Sequence, residues 1–299
     1  MDNFIDRLID SIKEKNSPIV VGLDPKLDFI PSYVIENYNN AGEAIFEFNR
    51  CLIDAVYDIV PAVKPQLAYY EMYGLDGIAA FKDTVDYAKE KDMLVIADGK
   101  RNDIGSTAEA YSKAYLGEGV FDVDCLTVNP YLGIDGIQPF IDDCKNNGRG
   151  IFVLAKTSNK SSGQLQDLKL EDGRTIYEVV AGLIDQWGEE TVGKYGYSSV
   201  GAVVGATYPE QAVKLRQLMK KAYILVPGYG AQGGTAEDAA KNFNSDGLGA
   251  IVNASRSVMC AYKSDKWKDQ FDANSFAEAA RAEVLDMRDA LNKAIAKRG

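Results

Sequence analysis

Short apolar runs recur along the chain at residues 18–23, 60–64, 93–97, 124–128, 151–155, 200–205, 223–226 and 250–253. They are rich in Val, Ile and Leu and apolar on both faces, the pattern of strands in a parallel sheet covered by helices. Amphipathic segments lie between them, at 77–91, 106–116, 134–146, 209–221 and 275–296. Eight such units in 299 residues predict an α/β chain folded as a (β/α)8 TIM barrel, a single domain over 1–299. A doubly wound open sheet is the alternative, and it places the polar strand ends at a switch of strand order instead of around one rim. The longest connection, about 159–197 after the fifth strand, holds a polar stretch at 161–166 and a helix near 176–188, and reads as a lid or surface insertion.

Composition narrows the function classes. A net charge of −11 argues against a nucleic-acid or anionic-membrane surface, so an anionic ligand needs a local positive site. No run approaches the roughly 18 apolar residues of a membrane helix, and the N-terminus is amphipathic and polar-interrupted, which reads as cytoplasmic. Cys51, Cys125, Cys144 and Cys260 lack metal-ligand spacing and read as reduced structural thiols. There is no histidine, which removes Ser-His and Cys-His schemes and leaves proton chemistry to Lys, Asp, Glu, Tyr or Cys.

The chemistry-bearing residues gather where the apolar runs end. Asp98-Gly-Lys-Arg-Asn-Asp-Ile-Gly-Ser-Thr107 puts Asp98, Lys100, Asp103 and Thr107 directly behind the third run. Period-two alternation points Asp98 and Lys100 to one side, and Asp103 follows as the chain turns into a helix starting near Ser106. Opposite charges this close tune each other's proton affinity, although a surface salt-bridge cluster has the same pattern. Other strand ends supply Asp24, Lys64, Asn129, Ser158, the Gly-rich stretch 228–234 and Arg256. In a barrel these ends form the catalytic face.

In Val226-Pro-Gly-Tyr-Gly-Ala-Gln-Gly-Gly-Thr235, glycines let backbone amides approach an anion, and Arg256 offers it a charge-assisted partner. Loops after strands seven and eight recur as phosphate sites in this architecture. Spacing does not decide which of Lys156, Thr157 and Ser158 faces the site. Asn129 is equally a turn residue, and Tyr69, Tyr70 and Tyr73 read as packing or dimer-surface residues.

Asp98-x-Lys100-x-x-Asp103-Ile104-x-x-Thr107, Lys64 on the preceding strand, Pro227-Gly-Tyr-Gly-Ala-Gln-Gly-Gly234 and Ser255-Arg-Ser257 together resemble the orotidine 5′-phosphate decarboxylase family, in its longer bacterial branch. The resemblance covers essentially the whole barrel. It implies decarboxylation of orotidine 5′-monophosphate to uridine 5′-monophosphate, the last step of de novo UMP synthesis, with no metal or other cofactor. Lys100 is implied as the general acid at C6, with Asp98 beside the substrate carboxylate and Lys64 and Asp103 completing an alternating Lys-Asp-Lys-Asp array.

The resemblance further implies a homodimer in which Asp103, Ile104 and Thr107 reach the partner's site. Asp24, Lys64, Asp103 and Thr107 are implied ribose contacts, and Ser158 a pyrimidine contact. Gln232, Arg256 and amides near Gly233 and Ser255 are implied phosphate contacts. One rival is a Mg2+-dependent sugar-phosphate decarboxylase or hexulose-phosphate synthase, which shares DxKxxD but relies on a metal and partly on histidine. The other is a non-catalytic nucleotide-binding barrel, for which the intact Asp98, Lys100 and Arg256 offer no cause.

Overall fold

The computed structural model describes residues 3–117, 119–230 and 233–298. Its strands are β1 (Ile19–Leu23), β2 (Ala62–Pro65), β3 (Leu94–Arg101), β4 (Cys125–Val128), β5 (Gly150–Lys156), β6 (Ser198–Val204), β7 (Ala222–Val226) and β8 (Ala250–Ala254). They pair in parallel in sequence order, and β1 pairs with β8, so the sheet closes into a barrel and the open-sheet alternative is excluded. Each strand lies on a predicted apolar run. β3 continues beyond its run through the acid-base motif.

Alternation along the strands divides the core in two. Val20, Ala62, Leu94, Ile96, Cys125, Phe152, Tyr223, Leu225 and Ile251 pack together inside the barrel. Their neighbours, including Val21, Val63, Val95, Leu126, Val153 and Val252, face the surrounding helices in a second cluster.

The helix Phe4–Lys15 closes the N-terminal mouth. Asn3 caps it by accepting the Asp6 N–H at 3.0 Å, and Phe4, Ile5, Leu8 and Ile9 join the interior cluster. Arg7 reaches Asp124, just before β4, at 2.6 Å, and a Cβ on Gly150 at the start of β5 would lie 2.1 Å from the Phe4 ring. With that end filled, the described residues leave the C-terminal face open for a site.

Helices at Gly74–Glu90, Gly105–Tyr115, Pro209–Leu218 and Phe276–Ala296 occupy the expected segments. The segment expected as one helix over 134–146 is instead a 3-10 turn, Ile134–Gly136, followed by the helix Gln138–Asn146. Pro139 explains the break, since it lacks an N–H and belongs in a first helical turn. After β5 come a short helix, Gly163–Gln166, and the helix Ile176–Trp187. The four cysteines are free thiols, and among the described residues no helix is long and apolar enough to cross a membrane.

Candidate active site

A cavity of about 690 Å³ opens at the C-terminal face of the barrel. Its inner layer follows from strand alternation: Asp24, Lys64, Gln66, Asp98, Thr127, Leu154, Val203, Leu225 and Asn253 continue the inward-facing positions and line it. The layer is polar on the β1–β4 and β8 side and apolar on the β5–β7 side, where Leu154, Val203 and Leu225 stand. That division suits a ligand with a charged part and a flat apolar part.

Asp98 is the centre of the polar side. Its Oδ2 accepts from Lys64 Nζ and from Gln66 Nε2, each at 2.9 Å, and its Oδ1 accepts from Lys100 Nζ at 2.6 Å and Thr127 Oγ1 at 2.9 Å. Burial pulls the Asp98 carboxyl towards its neutral form, but the charges and hydrogen bonds of Lys64 and Lys100 prevail and hold it well below the usual carboxylate range. Burial likewise opposes the charge on Lys64, only 3% exposed, yet Asp98 and Asp24 raise its proton affinity above the ordinary lysine value. Asp98 and Lys64 are therefore both ionised at neutral pH, a buried ion pair whose second carboxylate oxygen takes the Lys100 bond.

Plain alternation does not by itself deliver Lys100 to Asp98. Between Ala97 and Arg101 the pairing takes four steps on β3 against two on β4, from Leu126 to Val128. Within this irregularity Lys100 has φ 47°, in the left-handed region that non-glycine residues rarely occupy. Its N–H donates to Thr127 Oγ1 at 2.9 Å, so Thr127 steadies both the backbone of Lys100 and the carboxylate it faces.

The opposite rim is formed by Gly228, Tyr229, Ser255 and Arg256. Gly228 and Gly230, at φ 94° and 68°, shape the loop after β7. A family model described as Orotidine 5′-phosphate decarboxylase / HUMPS family matches residues 17–267. Orotidine 5′-phosphate decarboxylases of Clostridium perfringens and Caldicellulosiruptor saccharolyticus are 44% and 43% identical to this chain, covering 98% and 99% of it and 99% and 100% of themselves. This chain belongs to the orotidine 5′-phosphate decarboxylase family. The structure of Leishmania donovani OMP decarboxylase superposes with a TM-score of 0.74 at 29% identity, over 96% of this chain and 99% of that one.

The remaining residues expected of an orotidine 5′-phosphate decarboxylase fall into three groups. Asp24, Ser158, Ser255 and Arg256 line the cavity with Lys64, Asp98 and Lys100, and the buried Asp24 Oδ1 has no hydrogen-bond partner among the described residues. Asp103, Ile104 and Thr107 do not line their own chain's cavity; Asp103 Oδ1 accepts the Ile104 N–H at 2.9 Å, and Ile104 is 53% exposed. Gly233 also lies off the cavity, its N–H taken by Gly230 O at 2.9 Å, and Gln232 is outside the described residues.

Of the three residues at the end of β5, Thr157 and Ser158 line the cavity and Lys156 does not. Asn129 is a turn residue, its Oδ1 accepting the Tyr131 N–H at 3.0 Å. Tyr69 departs from its expected packing role and lines the cavity, whereas Tyr70 is wholly buried and accepts from Asn49 Nδ2 at 2.9 Å. Sequence reasoning missed Gln66, Thr127 and Asn253. Counting in twos from Lys64, Cys125 and Ile251 would have found them.

Proposed function

We propose that this protein decarboxylates orotidine 5′-monophosphate to uridine 5′-monophosphate, without a metal, as the last step of de novo UMP synthesis. The observation that carries the reading is Asp98 held between Lys64 and Lys100 on the cavity wall. In the reaction the bond from C6 to the carboxylate carbon breaks, the electron pair stays on C6 and carbon dioxide leaves. That pair is not delocalised into the ring, so a cation has to stand beside it. Lys100 fills that place and then transfers an Nζ proton to C6, which leaves a neutral amine to be recharged from solvent.

Two like charges about 4 Å apart repel by about 4 kcal/mol at an effective dielectric near 20, so Asp98 beside the substrate carboxylate raises the ground state. Two lysines nonetheless flank Asp98, and preorganised stabilisation of the carbanion is the larger contribution.

Asp24 and Lys64 hold the ribose hydroxyls in this reading, and Ser158 meets the pyrimidine against the apolar floor. Arg256, Ser255 and Gln232 take the phosphate, with Gly233 contributing its amide once the loop after β7 rearranges around the anion. Asp103, Ile104 and Thr107 serve the partner's cavity, so the working unit is a homodimer, in the cytoplasm. The exposure of Ile104 and Thr107, and the position of all three away from their own cavity, support this assignment.

The test is the fall in ultraviolet absorbance when orotidine 5′-monophosphate is mixed with purified protein in excess EDTA. Rapid loss with uridine 5′-monophosphate as product is expected. Folded protein that binds the nucleotide without turning it over, or acts only on sugar phosphates with added Mg2+, would overturn the assignment.

A further inference from the structure

The segment after β5 carries interactions that the substrate contacts above do not use. By strict alternation Lys156, two residues past Leu154, belongs inside the barrel. The register against β6 slips between Leu154 and Lys156, and the side chain leaves the cavity. It is 0% exposed, donates to Asp167 Oδ1 at 2.6 Å and to Ser162 Oγ at 3.3 Å, and has the rings of Tyr208 and Tyr177 at 4.6 and 5.5 Å. A lysine this deep is tolerated only when paired. Because Asp167 directly follows the polar stretch 161–166, the pair staples that stretch to the end of β5.

Gln166 adjoins Asp167 and grips the cavity wall with both ends of its amide. Its Oε1 accepts the Thr157 N–H at 3.0 Å, and its Nε2 donates to Thr157 Oγ1 at 2.8 Å. Thr157 Oγ1 in turn donates to Asn159 Oδ1 at 2.7 Å. From behind, Gly205 packs so closely that a Cβ there would lie 2.8 Å from Ser158 Cβ. Thr157, Ser158, Asn159 and Gln166 all line the cavity.

We propose that Gln166, kept in place by the ion pair of buried Lys156 with exposed Asp167, is a positioning residue that sets Ser158 against the pyrimidine. The stretch then contributes a wall of the base pocket. The proposal rests on the reading that Ser158 meets the base. A brace with a purely structural role would affect folding stability and every ligand alike, whereas a positioning role affects ligands that carry the base.

The experiment compares Gln166→Ala, Ser158→Ala and the double variant in the full-length protein, with inhibition by uridine 5′-monophosphate and by ribose 5-phosphate, which lacks the base. Gln166→Ala is expected to lower kcat/KM and weaken uridine 5′-monophosphate about tenfold, in keeping with one or two neutral hydrogen bonds, and to leave ribose 5-phosphate unchanged. The double variant should stay within about twofold of Ser158→Ala alone, since two residues acting through one contact are not additive. Asp167→Asn should give the same base-specific loss at smaller size.

Fully multiplicative effects, or an equal loss for ribose 5-phosphate, overturn the proposal. A silent Ser158→Ala removes the reading of Ser158 and the proposal together. An impaired Ser158→Ala beside a silent Gln166→Ala removes the proposal alone.

Discussion

Lys100 Nζ stands 2.6 Å from Asp98 Oδ1, and the backbone that brings it there passes through the left-handed region at Lys100 itself. A side chain in that region costs about 1–2 kcal/mol, so the position is kept against a local preference for extended backbone. Thr127 offsets part of that cost through its bonds to the Lys100 N–H and to Asp98.

On the proposed mechanism, Lys100→Ala removes the cation beside C6 and the proton C6 receives. A loss of at least about a thousandfold in kcat is expected, with a folded protein that still binds uridine 5′-monophosphate. Turnover within tenfold of the parent would remove Lys100 from the role. Thr127→Val, which keeps shape but not hydrogen bonds, should lower kcat by about tenfold with little change in KM.

Asp98→Asn leaves two lysines facing each other without their counter-charge. At pH 7 a loss of about 3 kcal/mol in unfolding free energy is expected, the usual scale for breaking a buried pair. Because the folded Asp98 carboxyl lies below its ordinary value, its contribution is complete above about pH 4 and is lost as pH falls below that. Urea unfolding at pH 7 and pH 3 should therefore show the parent and variant converging in acid, and a pH-independent gap would contradict the ionised array.

Arg256→Ala acts at the other end of the substrate. A charge-assisted bond to phosphate is worth about 1.5–3 kcal/mol, so kcat/KM should fall between about tenfold and a hundredfold. Unchanged steady-state kinetics would place the phosphate elsewhere.

Shared sites make a prediction about mixtures. Lys100→Ala and Asp103→Ala homodimers should each be nearly inactive, yet recover part of the parent activity when unfolded and refolded together, since mixed dimers contain one intact site. No recovery would mean that Asp103 serves its own chain.

The eight strands were legible because each is apolar on both faces, which a parallel barrel requires and few other elements share. What could not be read were the register slips beside the site, one near Lys100 on β3 and one before Lys156 on β5, which join a third between Ser198 and Ala202 on β6. Periodicity carries no record of an irregularity. That is why Lys156, Thr157 and Ser158 stayed undecided and why Lys156, inward by count, turned out to be buried elsewhere. The break before Gln138 had a visible cause in Pro139. The cavity role of Tyr69 had none, because it depends on where the chain leaves β2 and not on the residue's own pattern.

Among the described residues, the stopper formed by Phe4–Lys15 makes the barrel a cup open at the C-terminal face, its interior occupied by Phe4, Phe152 and Tyr223. On the proposed mechanism, nucleotide, carbon dioxide and the proton that recharges Lys100 all cross the same rim. Carbon dioxide, freed at the floor, has no rear exit and departs past the nucleotide that released it. Gas release, product release and recharging of the lysine thus share one passage in the proposed cycle.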